Sequence, residues 1–216
     1  MKKKNNRLKE KRELGSKAEI LTETVKALRE KTGVGMMDCK KALIESNGDM
    51  EKAVDILRAL GLAAVARRAG RTAAEGVVDS YIHIGGKIGV LVEINCETDF
   101  VARNIEFQSF VKDIAMQIAA SNPQYISRED VPDGIVDHER EILKSQTLAE
   151  GKPEKVADKI VDGRLEKFFS EVCLIDQPFI KDPKMSIKDL LGEFCAKIGE
   201  NIVIRRFTRY QLGEKS

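Results

Sequence analysis

The sequence is poor in the residues from which most enzymes build their chemistry. Its 216 residues include two histidines and four cysteines. His83 and His138 lie in unrelated contexts, which leaves no Ser/His/Asp arrangement to defend. His83 falls beside a predicted turn and reads as solvent-facing. Cys39, Cys96, Cys173 and Cys195 are scattered, and none belongs to a Cys-x-x-Cys or Cys/His cluster. That pattern argues against zinc and suits a reducing compartment. No P-loop is present, and no Gly-x-Gly-x-x-Gly follows a strand and opens a helix. Long apolar runs are missing as well, with nothing near the ~20 residues of a membrane span, so no membrane partner is expected. The N-terminus carries Lys2, Lys3, Lys4, Arg7 and Arg12 with no apolar segment behind them, which is not a secretory signal. It also lacks the Ser-rich, acid-poor look of a transit peptide. Glu93, Glu97 and Asp99 crowd the end of one predicted strand and could bind a cation. Mg²⁺ sites usually borrow substrate phosphates, however, and no phosphate cradle is visible. The residues supply no catalytic constellation, so the chain reads as a binding protein and not an enzyme, without cofactor or metal.

What is present is a soluble, helix-rich composition. Hydrophobic residues make up 42% and charged residues 33%, with a net charge of +2. The charge is uneven. Residues 1–17 hold eight Lys/Arg and two Asp/Glu, leaving 29 basic and 33 acidic residues in the remainder. Nucleic-acid binding by that body is not favoured, because phosphate contacts need a basic face. Only the basic arm at 1–16 is a candidate for touching RNA, and a solvated arm is the plainer reading.

Hydrophobic periodicity divides the rest. Residues 17–62 predict a three-helix bundle. Ile20, Leu21, Val25 and Leu28 mark its first helix, which breaks at Thr32-Gly33-Val34-Gly35. Met37, Lys40, Ala42 and Leu43 mark the second, which stops at Asn47-Gly48. Asp49 caps the third, with Ala53, Val54, Ile56, Leu57 and Leu60 as its apolar positions. Residues 63–76 form a short basic connector, partly helical in pattern. From 77 to 213 an α+β core is expected, with 214–216 as a tail. Val78, Ser80, Ile82 and Ile84 share one strand face, Gly85-Gly86 make a hairpin turn, and Ile88 to Ile94 return. A helix follows from about Asn104, with Phe107, Phe110, Val111, Ile114 and Ile118 on one stripe. A short amphipathic helix is predicted around Glu139 to Leu143. Pro153 opens another, with Val156, Ile160, Leu165, Phe168 and Phe169 on its buried side. Ile175 to Ile180 reads as extended. Ser186 caps a helix that ends at Gly199, and a last strand pairs onto the hairpin. The fold class is α+β, a small antiparallel sheet packed on helices.

The segment Thr98-Asp99-Phe100-Val101 lies at the strand-to-helix junction. An aromatic beside a carboxylate there has two readings. One is a core residue with a helix cap. The other is an apolar wedge aimed at a partner, since function concentrates on loops held by a rigid scaffold.

Two segments carry a resemblance. Thr32-Gly33-Val34-Gly35-Met36-Met37-Asp38-Cys39-Lys40-Lys41-Ala42-Leu43 is similar to the first signature of the bacterial and organellar translation elongation factor Ts family. Glu97-Thr98-Asp99-Phe100-Val101-Ala102-Arg103 is similar to its second. The likeness continues through Gly151-Lys152-Pro153, Gly163-Arg164, Gln177-Pro178-Phe179 and Gly199-Glu200-Asn201-Ile202, and covers essentially residues 17–213. It implies a guanine-nucleotide exchange factor for the GTPase elongation factor Tu. The helical bundle would be a ubiquitin-associated-like domain docking that partner through Leu28, Arg29, Met36, Met37 and Lys40. Met36 and Met37 are consecutive and point about 100° apart on a helix, so they would not face the same way. Thr98, Asp99, Phe100 and Val101 match the segment that intrudes near the partner's Mg²⁺. Longer family members have two sheet-containing halves and a coiled-coil insertion, so this chain resembles a short form, of bacterial or plastid type. Its shortness raises the hypothesis of a symmetric homodimer. Some short members join two copies by a cysteine in the last strand; here that strand reads Arg206-Phe207-Thr208-Arg209-Tyr210, and Cys195 lies in the helix before it. The resemblance implies a cytoplasmic location, with the plastid stroma as the alternative. A ubiquitin-type adaptor and an RNA-associated accessory protein are the competing readings, the first from the bundle alone and the second from the basic arm.

Overall fold

The computed structural model describes residues 22–68 and 70–214. The basic arm and the expected helix positions Ile20 and Leu21 lie outside the described residues. Contacts divide the chain into two units, one reaching to Gly70 with Leu191–Asn201 added, the other running from Arg71 to Leu190 and resuming at Ile202.

The first unit holds α1 (Thr22–Thr32), α2 (Met36–Glu45) and α3 (Met50–Arg68). Gly33 ends α1 with a φ of 68°, and its amide donates to the Arg29 carbonyl. Asp49 caps α3, its carboxylate accepting from the amides of Glu51 and Lys52 at 3.1 Å each. Val25, Leu28, Val34, Cys39, Ala42, Leu43, Ala53 and Leu57 form one buried cluster. Burial of each large aliphatic side chain among them contributes roughly 1.5–3 kcal/mol, a substantial share for so small a bundle. The helix α3 continues to Arg68, through much of the stretch expected as a connector. It packs on the later helix α8 (Ile187–Ile198) where glycine meets glycine: a Cβ on Gly61 would lie 3.0 Å from the Gly192 carbonyl oxygen.

The second unit is built on a three-stranded antiparallel sheet in the order β1 (Glu75–Ile82), β2 (Ile88–Cys96), β5 (Val203–Gln211). The turn from β1 to β2 places Gly85 and Gly86 at φ of 90° and 68°, conformations that cost a side chain dearly. The last strand pairs on the hairpin as expected, and a bulge at Glu93/Ile94 leaves Arg205 as the extra residue on β5. After β2 come the single turn α4 (Asp99–Ala102) and the long helix α5 (Ile105–Ser121). Val90, Val92, Ile94 and Cys96 of β2 are buried on the α5 side, together with Phe107, Val111, Ile114 and Ile118 of the helix. Among the described residues the opposite face of the sheet is exposed. Val78 and Ile82, which the alternation placed on one strand face, stand exposed there, and Ile84 lies beyond the strand in the turn.

Three elements differ from the sequence pattern. The short helix expected at Glu139 to Leu143 is α6 (Asp133–Ala149), 17 residues long. Pro132 starts it, and Gly134 is tolerated in its first turn because α6 packs along α7 (Glu154–Val172). The buried stripe of α7 is Ala157, Val161, Leu165 and Phe169, with Val156 exposed. These four recur every fourth residue toward α6, a seam that outcompetes the larger Val156 and Ile160 one position away. The stretch expected as extended begins with a 3₁₀ turn at Leu174–Asp176, followed by β3 (Pro178–Phe179) and β4 (Asp182–Ser186). Ser186 then opens α8: its hydroxyl accepts from the Asp189 amide, and the Asp189 carboxylate accepts from the Ser186 amide.

Candidate partner-binding site

The junction after β2 is held from below and exposed above. Thr98 is the N-cap of α4, and its hydroxyl accepts from the Val101 amide at 3.4 Å. The Cys96 thiol donates to the Thr98 carbonyl, and the Ala102 amide donates to the same carbonyl. Val101 and Ala102 are buried. Asn104 ends the turn and starts the next helix, its side chain accepting from the Glu106 amide at 2.8 Å. The short turn is therefore capped at its start by the Thr98 side chain, closed at its end by the Arg103 backbone amide, and followed at once by a helix that Asn104 caps. On the turn, Phe100 is 78% exposed. The core reading of this segment thus falls to Val101 and the cap reading to Thr98, not to Phe100 and Asp99. Leaving a phenyl ring in water forgoes roughly 1.5–3 kcal/mol of burial.

The carboxylates around the junction are not gathered into a cation site. Glu93 accepts from Arg206 at 2.6 Å, Glu97 from Arg71 at 3.4 Å, and Asp99 pairs with Arg103 at 3.0 Å. Each has its own arginine, and Arg206 holds the Glu93 carboxyl below its ordinary range through that hydrogen bond. Among the described residues no group of three or more His, Cys, Asp and Glu is placed to hold a metal ion. Asp99 and Arg103 are both largely exposed, so their pairing contributes little to stability.

In the helical unit the expected contact residues separate by burial. Leu28 is fully buried and supports the surface without forming it. Met36 is half-buried against the core cluster, while Met37 is 65% exposed. Arg29 and Lys40 are exposed. Ile44, exposed seven residues after Met37, extends the same helical face, and Leu60 of α3 is exposed too. The i, i+7 spacing of Met37 and Ile44 would have revealed this stripe in the sequence. Ile105, at the first position of α5, is a further exposed apolar residue near the Phe100 turn that periodicity gave no reason to single out.

Elsewhere, all four cysteines are buried free thiols, and burial pushes the Cys173 thiol up to about 11. His83 is exposed, with its Nδ1 3.0 Å from the Tyr81 hydroxyl. Among the described residues no helix is long and apolar enough to cross a membrane.

Comparison with known proteins converges on one family. The family model described as elongation factor TS matches residues 16–214. A protein named elongation factor Ts from Thermoanaerobacter sp. (strain X514) is 66% identical over 195 residues, covering 90% of this chain and 96% of the relative. One of the same name from Carboxydothermus hydrogenoformans is 67% identical, covering 90% of each. Another from Moorella thermoacetica is 60% identical, covering 90% of this chain and 96% of the relative. With an α+β core behind an N-terminal helical unit and a match across nearly its whole length, this chain belongs to the elongation factor Ts family of translation elongation factors.

Proposed function

We propose that this protein is the guanine-nucleotide exchange factor for elongation factor Tu, and that Phe100 is its wedge. The observation that carries the reading is the exposure of Phe100 on a turn whose neighbours Val101 and Ala102 are buried and whose start is capped by Thr98. Nucleotide affinity in a GTPase depends on Mg²⁺ bridging phosphates to protein. An aromatic ring entering an apolar slot between partner helices shifts the elements that support that metal, and Asp99 competes for hydrogen bonds there. GDP then leaves without any bond being made or broken in this protein. The factor and the nucleotide antagonise each other reciprocally, so GTP displaces the factor in turn. Met37, Lys40, Arg29 and Ile44 give the helical unit an adaptable apolar surface with a basic rim, the composition suited to docking. The bacterial sources of the relatives favour the cytoplasm over a plastid stroma.

Stopped-flow release of a fluorescent GDP analogue from elongation factor Tu tests this. Acceleration by the wild type and a loss of at least about tenfold in folded Phe100→Ala are expected, since a central aromatic anchor is commonly worth ~2 kcal/mol or more. No acceleration by the folded wild type in the presence of Mg²⁺ would overturn the reading.

The uncovered sheet face supports a second partner, another copy of this chain. Val78, Ile82, Leu91 and Tyr210 stand exposed on it, beside the Glu93–Arg206 pair. The register puts Val78, Glu93 and Arg206 in one row and Ile82, Gly89 and Tyr210 in another. Such a face meets itself across a two-fold axis, its apolar side chains against one another and its Glu93–Arg206 pairs at the rim of that contact. No cysteine of β5 is needed for this. Sedimentation velocity at micromolar concentration should show a dimer that Leu91→Glu dissociates; a wild type that is only monomeric refutes it.

A further inference from the structure

Phe100 lies beyond the C-terminal end of β2. At the other end of that strand the packing of α5 on the sheet stops short. The last turn of the helix presents Ala119 and Ala120, side chains too small to reach the hairpin. The space left is a cavity of about 360 Å³, walled by Met116, Ala120 and Ile180 and edged by Tyr81, His83 and Arg209. Its distance from the junction is that of the strand, roughly 25 Å at the rise of a β-strand.

Arg209 is the unusual member. Its side chain is only 8% exposed. Nε donates to the Ala119 carbonyl at 3.3 Å and Nη2 to the Gln211 side chain at 2.8 Å. Nη1 is buried and makes no hydrogen bond. Its nearest charge partner, the half-exposed Glu214 carboxylate, stands 3.8 Å away, beyond hydrogen-bonding reach. A buried guanidinium edge without an acceptor is costly, and such orphans call for an explanation. The surroundings offer one. Apolar walls with a few convergent polar groups are the usual make-up of a small-ligand site. A guanidinium selects carboxylate or phosphate. With one cation and Glu214 already close, a singly charged carboxylate fits better than a dianionic phosphate.

We propose that this cavity binds a carboxylate carried on an apolar stem about the size of a leucine side chain. The ligand carboxylate pairs with the Arg209 guanidinium in place of Glu214, and the stem lies against Met116 and Ile180. The Tyr81 hydroxyl and His83 close the polar rim. This goes beyond nucleotide exchange and is independent of it. The ligand is either a free acyl amino acid or the C-terminal residue of a peptide, both of which present this chemistry.

The test is amide chemical-shift titration of the full ¹⁵N-labelled chain with N-acetyl-leucine, N-acetyl-leucinamide, and acetyl-Gly-Gly-Leu with its C-terminal amide. Saturable shifts at His83, Ala120 and Gln211 are expected with the two carboxylates and at least tenfold weaker binding with the two amides. Glu214→Gln should tighten binding by removing the internal competitor. Ala120→Phe fills the cavity from an exposed position and should abolish binding while the rest of the spectrum is retained; Arg209→Gln should do the same if it folds. Tighter binding of the peptide assigns the site to a chain terminus, and tighter binding of the acyl amino acid to a free metabolite. Equal binding of acids and amides, binding that survives Ala120→Phe, or no saturable shift at millimolar ligand would overturn the proposal.

Discussion

The Val101 amide donates to the Thr98 hydroxyl three residues before it, and this bond locks the turn that turns Phe100 outward. Buried Val101 and exposed Phe100 are adjacent in sequence, so a rotation of the turn by about 100° would put Phe100 where Val101 stands. Thr98→Ala removes the cap, worth about 1 kcal/mol. Exchange on elongation factor Tu should fall severalfold in Thr98→Ala and recover in Thr98→Ser, with global stability changed by no more than the cap itself. Paired stopped-flow and urea denaturation measurements check this. Unchanged exchange in a variant that has lost the cap would show that the turn is held by its packing instead.

Asp99 lends itself to a cleaner separation of stability from function. Its pairing with Arg103 is exposed at both ends, a type of contact worth at most about 0.5 kcal/mol in a helix. Asp99→Asn should therefore melt within experimental error of the wild type. If Asp99 competes for the partner's hydrogen bonds, the same variant loses exchange activity, and the loss appears in the maximal rate of GDP release at saturating factor.

Arg128 should make stability depend on acid pH. Its guanidinium donates to both carboxylate oxygens of Glu166 at 2.8 Å each and to Asp176 at 2.9 and 3.1 Å, and it lies 4.8 Å over the centre of the Phe169 ring. The hydrogen bonds from Arg128 hold the Glu166 carboxyl below its ordinary 4.5. A lowered folded-state value contributes stability above the ordinary value and loses it as pH falls through the folded one. Arg128→Lys cannot reproduce the fork or the stacking and should be destabilised by about 1–3 kcal/mol at neutral pH. The gap between variant and wild type should narrow below pH 4.5. Urea midpoints at neutral and acid pH read the difference; a gap independent of pH would mean that packing on Phe169, not charge, carries the effect.

Gly76 sits at a φ of 140°, and a Cβ there would fall on the backbone of Ile94 and Asn95 in the neighbouring strand. Gly76→Ala must therefore strain the backbone or part β1 from β2 where the strand begins. A loss of about 1–3 kcal/mol is expected from the strain alone. The reading comes from urea denaturation, and a variant as stable as wild type would mean that the edge strand frays at no cost.

The elements that the sequence revealed share a property: their signals act over a few residues. The Asp49 and Ser186 caps, the Gly85-Gly86 turn and the break after α1 all stand where their residue types placed them. The misjudged elements depend on partners far away. Pro132 and Gly134 argue against a long helix locally, yet α6 runs 17 residues because α7 covers its side. Val156 is more hydrophobic than Ala157, yet Ala157 is inside because it lies on the seam with Val161 and Leu165. At the junction, residue types left Phe100 open between core and surface, and packing placed Val101 and Ala102 inside.

The sequence by itself determined most of the order of helices and strands, several caps and turns, and through its two signature segments the family to which the chain belongs. Those are matters of local backbone preference and of residue identity, which any stretch of chain carries with it. Only the tertiary structure decided which face of the sheet α5 covers, which of two adjacent residues at the junction meets water, and which arginine each carboxylate finds. Arg206 reaches Glu93 across 113 positions, and Arg71 reaches Glu97 across 26. The same is true of Arg209, whose guanidinium donates to the end of a helix nearly a hundred residues earlier and keeps one buried edge without a hydrogen bond. Burial and pairing belong to whatever packs alongside, and no window of neighbouring residues contains that information.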